Sequence, residues 1–244
     1  MDQSLGRDFV VSPSRDSAGT TPSANAPKGV RVSTRAFFWK SKMEVLVACE
    51  YSGTVRDAFA VKGHKAMSCD LLPSDVPGPH YQGSLFDVID YPWDFGGFHF
   101  PCTDLSVSGS RHFESKKMDG RYYAAASLWI NGWNRSRHIK GGYFEHPVSV
   151  MSSIFRKPDQ TIQPWMFGHY ETKATCLWLW GVEPLRPIYK TPDECREALG
   201  LPCGSKPEAR IHKMPPSPER WKLRSKTFAG IAEAMASQWG GLAI

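Results

Sequence analysis

Apolar runs alternating with amphipathic stretches set the frame of this chain. Residues 44–49, Glu-Val-Leu-Val-Ala-Cys, are almost continuously apolar, the pattern of a strand covered on both faces. Glu50-Tyr51-Ser52-Gly53 reads as a tight turn, and Thr54 to Lys62 as a helix stopped by Gly63. A second strand runs from Lys65 to Cys69 and ends in Asp70. A looser segment then leads through Gly83-Ser84-Leu85-Phe86-Asp87 to a short strand ahead of Cys102. This alternation predicts right-handed crossovers and an α/β fold with a doubly wound, mostly parallel sheet.

The second half continues the pattern. Residues 119–138 read as a helix with Tyr122, Ala126, Leu128, Trp129 and Trp133 on its apolar face, broken by Gly141-Gly142. Tyr143 to Val148 reads as a strand running into a turn, 156–172 as a loop, and Thr175 to Trp180 as a further strand. Residues 181–222 are rich in Pro, Gly and charge, with one short helix around Asp193–Leu199; they form a loop-rich insertion. Thr227 to Gln238 is a helix that can set Ile231, Ala234 and Met235 on the sheet. Residues 1–42, dominated by Ser, Thr, Pro, Gly, Asn and Arg, read as a disordered basic arm, leaving 43–244 as a single domain.

Composition narrows the function classes. At 244 residues and 41% hydrophobic the chain can build a sizeable core. Of the net charge of +6, the arm carries +4, so the body is nearly neutral. Such a balance permits nucleic-acid binding without demanding it; the arm either adds phosphate contacts or only solubilises. No two of the six cysteines have the two-residue spacing of a zinc or thioredoxin-like site, and the histidines lack ligand spacing, so no metal is expected. No apolar run approaches the roughly 18 residues that span a bilayer, and no secretory leader is visible. A cytoplasmic protein with reduced thiols and no membrane partner is the expectation.

Candidate chemistry gathers where strands end. Pro101 stiffens the turn that carries Cys102, and Ser106, Ser108 and Gly109 follow as a loop. On this stretch alone the thiol is either a small core residue or a nucleophile. Gly53, Asp70, Asp87 and Cys102 all fall at predicted strand ends, and one rim of one sheet can hold all four, where ligands of such sheets bind. A glycine turn before a helix and an acid ending the second strand are the marks of a nucleoside-cofactor site. Glu145 ends the strand from Tyr143 and faces the same rim. Arg210, His212, Lys213, Arg220, Lys222 and Arg224 form a basic stretch that reads equally as a phosphate-tracking loop or an ordinary solvated one.

In this order the motifs resemble the DNA (cytosine-5) methyltransferases, most closely the compact form found in bacteriophages, over roughly residues 43–240. The resemblance implies S-adenosylmethionine as cofactor and the methyltransferase type of Rossmann-like fold. Glu50, Tyr51, Ser52 and Gly53 would hold its methionine part, Asp70 its ribose and Asp87 its adenine, with Pro101 and Thr227 completing that site. Cys102 would add to carbon 6 of cytosine, Glu145 would meet ring nitrogen 3 and the amino group, and Lys173 would supply a cation near the flipped base. Phe100, Thr103, Ser106, His146, Arg210 and Lys213 would face the substrate, double-stranded DNA, which must release the base from its stack. A monomer acting in the cytoplasm of a bacterial host, with a short recognition sequence, is implied. Two positions depart from the family: Phe100 stands where a proline precedes the Pro-Cys pair, and His146 where an asparagine follows the glutamate. They leave three outcomes open: cytosine methylation, a different pyrimidine or donor, or binding without catalysis.

Overall fold

The computed structural model describes residues 42–241; the expected arm, apart from Lys42, lies outside the described residues. Seven strands form one sheet in the order β3-β2-β1-β4-β5-β7-β6. They are β1 (Glu44–Ala48), β2 (Lys65–Asp70), β3 (His80–Gln82), β4 (Phe95–Phe98), β5 (Gly141–Pro147), β6 (Gln160–Ile162) and β7 (Thr175–Trp180). The first five run parallel, and β7 pairs antiparallel with both β5 and β6. After β3 the chain crosses to the other side of β1 and builds outward through β4, so the topological switch point, where such sheets bind ligands, lies between β1 and β4.

The two-residue period of the strands sorts side chains onto two cores. Val45, Val47, Phe95, Tyr143, Leu177 and Leu179 pack under α1 (Thr54–Val61) and, near the chain end, α8 (Ala229–Trp239), which contributes Ile231, Ala234 and Met235 as expected. Leu46, Ala48, Phe98, Phe144, Trp178 and Trp180 face the other way, against Ala126 and Trp129 of α3 (Arg121–Arg135). This second face is almost wholly aromatic at its centre. Phe98 and Phe144 stack at 4.7 Å, and Trp129 meets Phe144 and Trp178 edge-on at 4.9 and 5.5 Å.

Three segments differ from the sequence reading. The loop expected at 156–172 contains β6 and a 3-10 turn at Pro164–Phe167. A three-residue edge strand carries too little alternation to stand out, and only pairing with β7 defines it. The same holds for β3, hidden in the looser segment before Gly83. The helix expected over 119–138 is α3 followed by a 3-10 turn at Ser136–His138, and a separate α2 (Phe113–Met118), absent from the sequence reading, precedes it across Gly120, which adopts a left-handed φ of 83°. The insertion holds α5 (Pro192–Ala198), α6 (Arg210–Lys213) and, reaching beyond it, α7 (Arg220–Ser225); α4 (Met151–Ile154) follows β5.

Candidate active site at the carboxyl rim of the sheet

The loop after β1 begins with strain. Cys49 has φ of 56°, a left-handed conformation uncommon for a residue with a side chain. It turns Glu50 inward, where the carboxylate is buried and accepts hydrogen bonds from the backbone N–H of Val55 (2.7 Å) and Arg56 (3.3 Å) and from the Ser52 hydroxyl (3.1 Å). Glu50 therefore neutralises the positive end of α1 itself. Gly53, at φ 72°, is required twice over: a β-carbon there would lie 2.4 Å from the Arg56 guanidinium. Arg56, absent from the sequence reading, is fully buried and binds Asp57, the Ser68 and Ser74 hydroxyls and the Pro77 carbonyl. It ties the first turn of α1 to β2 and to the loop over 71–79. Its signal, one arginine in an otherwise apolar helix face, is too common to be read from sequence.

Asp70 ends β2, half-buried, with one oxygen accepting the Leu72 N–H at 2.9 Å; burial raises its carboxyl above the ordinary range. Asp87 sits beyond β3, exposed, and accepts the Tyr81 hydroxyl at 3.0 Å. Both carboxylates act on the Cys69 thiol, so they share one corner of the rim. Tyr51 does not point at open space: its hydroxyl donates to the Lys222 carbonyl at 2.6 Å and lies 2.8 Å from the Ser225 hydroxyl. Asp75, whose N–H donates to the Tyr51 carbonyl, pairs with Lys222 and Lys226 at 2.6 and 2.8 Å. The segment 220–226 is thus clasped to the rim, which carries Arg224 and Thr227 toward the centre.

On the other side of the switch point stands Cys102, half-buried, four residues past β4. Its carbonyl accepts the N–H groups of Leu105 and Ser106. The loop is held from beneath by Lys116 of α2, a buried lysine that donates to the Thr103 carbonyl and lies 3.3 Å from Asp104. It is held from the side by an antiparallel bridge between Ser106 and Ser149. Burial raises the Cys102 thiol and Glu145 raises it further, while Lys173 and Arg224 pull it down; the balance stays above its ordinary value, so the group is a thiol at neutral pH. The nearby cations do not by themselves hold a thiolate.

Glu145 occupies the α8 face of β5. Burial pushes its carboxyl up, but His99 and Lys173 outweigh that and hold it down to about 2. Glu145 and Lys173 line a cavity of about 10 Å3 with Thr175, Thr227, Phe228, Ile231 and Met235, room for about one water. Lys173 is tethered to the Lys226 carbonyl at 3.3 Å.

Several expected substrate residues lie elsewhere. Phe100 is a core residue: it stacks on Phe98 and Phe144 (6.4 and 5.3 Å) and fills the space left by Gly132 of α3. His146 is completely buried. Strand parity turns both away from Glu145, to the α3 face. Burial lowers the imidazole of His146, so it stays neutral; the Glu145 charge and then the Pro101 and Pro147 carbonyls pull the other way without overcoming it, and neither ring nitrogen makes a hydrogen bond of normal geometry. His146 is therefore not a titrating group near neutral pH. Ser106 is also buried, its hydroxyl 2.9 Å from that of Ser108, as part of the loop's own frame. Thr103 and Pro101 are exposed at the rim. Arg210 is paired with Glu171 at 2.9 Å, whereas Lys213 is exposed.

The rim thus brings together Cys102, Glu145 and Lys173 on one side and Gly53, Asp70 and Asp87 on the other. Among the described residues no group of three His, Cys, Asp or Glu side chains is arranged to hold a metal ion, and no helix is long and apolar enough to cross a membrane. No family model and no curated protein matches the chain.

Proposed function

We propose that the chain transfers a methyl group from S-adenosylmethionine to carbon 5 of cytosine in DNA, with Cys102 as the nucleophile. The observation that carries this reading is the meeting of a thiol, an ionised carboxylate and two cations beside the switch point of a doubly wound sheet. The residues present suit the cofactor. Asp70 keeps acceptor capacity beyond its bond to Leu72, as two ribose hydroxyls require, and exposed Asp87 can accept from an adenine amino group. When bound, the cofactor would supply an electrophilic methyl group.

The chain's own residues do the rest. Cytosine is a poor nucleophile at carbon 5, and addition of sulfur at carbon 6 makes carbon 5 enamine-like. Cys102 starts as a thiol, so its proton must leave as the bond forms, and Glu145, whose charge already acts on that thiol, is the base assigned to receive it. Glu145 then returns a proton toward ring nitrogen 3, where negative charge would otherwise build up. Lys173 and Arg224 offset the charge on sulfur and carboxylate during the transfer. Because Phe100 and His146 sit in the opposite core, neither changes the wall of this pocket, and the reading needs no altered pyrimidine or donor on their account.

DNA containing 5-fluorocytosine tests the reading directly. With S-adenosylmethionine present, a covalent protein–DNA adduct is expected, and Cys102→Ser abolishes it. An adduct that survives that substitution removes Cys102 from its role. Nucleosides from exposed DNA that contain no 5-methylcytosine on mass spectrometry refute the reaction.

A further inference from the structure

Behind Glu145 lies a polar chain that the reaction above leaves unused. His99 follows β4 with the parity of Phe95, and Tyr143 and Glu145 share that parity on β5, so all three project to the α8 face. His99 Nε2 lies 2.9 Å from the Tyr143 hydroxyl, and Nδ1 lies 3.5 Å from Glu145 Oε2. The His99 side chain is 8% exposed and that of Glu145 15%, while Tyr143 is fully enclosed. A carboxylate beside Nδ1 selects the tautomer with hydrogen on Nδ1, which leaves Nε2 to accept from the phenol. The ring thus meets a partner at each nitrogen without any movement of the backbone.

We propose that His99, held by Tyr143, is a positioning residue for Glu145 that aims its carboxylate at the cavity and shares the proton it relays. The inference rests on the function proposed above. In the addition step sulfur bonds to carbon 6, the thiol proton passes to the Glu145–His99 pair, and the pair protonates ring nitrogen 3, so the pair is unchanged across the step. The groups facing the pair are Lys173 ahead of β7, Cys102 from the loop after β4, Cys176 on β7, His146 next in β5, and Glu50 across from Tyr143 at the end of β1. The neighbours from the α8 side, Thr227, Phe228, Ile231 and Met235, carry no titratable group.

The tautomer of His99, read from imidazole nitrogen shifts by NMR in the full chain without DNA or cofactor, tests the pairing. In the parent the hydrogen should sit on Nδ1, facing Glu145, and Glu145→Gln, which removes the charge at that nitrogen, should weaken the preference. Tyr143→Phe, which removes the phenol from Nε2, should weaken it too and serves if the first variant does not fold. A tautomer that is the same in the parent and both variants overturns the proposal. In DNA methylation assays His99→Gln should lose about tenfold or more in kcat at unchanged KM. Losses that follow thermal stability alone, with no split between kcat and KM, mark His99 as merely structural and overturn its role. A changed tautomer in a chain without methyl transfer supports the pairing and refutes the reaction it serves. An unchanged tautomer with methyl transfer intact overturns the pairing alone.

Discussion

Phe100 and Gly132 offer a quantitative test of which face of the sheet the Cys102 loop is anchored in. Alanine in place of glycine inside a helix normally gains about 1 kcal/mol. At Gly132 a β-carbon would lie 2.2 Å from one atom of the Phe100 ring and 2.8 Å from another, well inside contact distance. Overpacking of this kind costs about 1–3 kcal/mol, so Gly132→Ala should be neutral to destabilising by about 2 kcal/mol. Phe100→Ala alone removes a ring stacked on Phe98 and Phe144 and should cost about 3–5 kcal/mol. With the ring gone, Gly132→Ala should turn stabilising, because the helical preference remains and the new methyl fills part of the cavity. The coupling between the two sites should thus be about 1–3 kcal/mol. Guanidinium denaturation of the four proteins at constant slope measures it. Additivity within about 0.5 kcal/mol, or a Gly132→Ala protein more stable than the parent, would refute the placement of Phe100 in the α3 core.

Other predictions follow from charge and burial. The Glu145 carboxyl, held at about 2 against an ordinary 4.5, contributes on the order of 3 kcal/mol that is present above pH 4.5 and lost as pH falls toward 2. The stability gap between the parent and Glu145→Gln should therefore narrow between pH 6 and pH 3 in urea melts; a constant gap contradicts the hold of His99 and Lys173 on this carboxylate. The raised Cys102 thiol should alkylate slowly at pH 7 and keep accelerating above pH 9, followed by mass spectrometry in a Cys203→Ser background. Lys173→Met should slow it further, since Lys173 is one of the groups drawing the thiol down. Lys116→Met should cost roughly 1–3 kcal/mol by orphaning the Thr103 carbonyl and leaving Asp104 with Arg121 alone at 3.7 Å. It should lower methyl transfer by about 10–100-fold through misplacement of the Cys102 loop, with the affinity for cofactor unchanged in calorimetry.

Much of the fold was legible because strands buried on both faces and amphipathic helices carry strong periodic signals. β1, β2, β7 and α8 lie within a residue or two of their expected bounds. The edge strands β3 and β6 were not legible, since three residues hold no period and their identity comes from neighbours distant in the chain. The rim was legible as a list of residues at strand ends but not as a geometry. Lys116, Arg56 and His99 each have a common residue type and no local motif. They become significant only when the chain returns beside them: Lys116 meets the Thr103 carbonyl 13 residues away, and His99 meets Tyr143 44 residues away.

The amino-acid order alone determined that a cysteine, an acid and a glycine turn would stand at the carboxyl ends of parallel strands, because hydrophobic period and turn chemistry are local properties. It could not determine the direction in which neighbouring side chains point. One residue of parity separates Glu145, in the candidate site, from His146, sealed in the aromatic core, and likewise His99 from Phe100. Parity is fixed by which face of a strand is buried against which helix, and that is settled only when α3 and α8 close on opposite sides of the sheet. The same closure half-buries Cys102 and brings its thiol under the charge of Glu145. The charge state of the candidate nucleophile is therefore a property of the tertiary structure and not of the Pro-Cys motif that announces it.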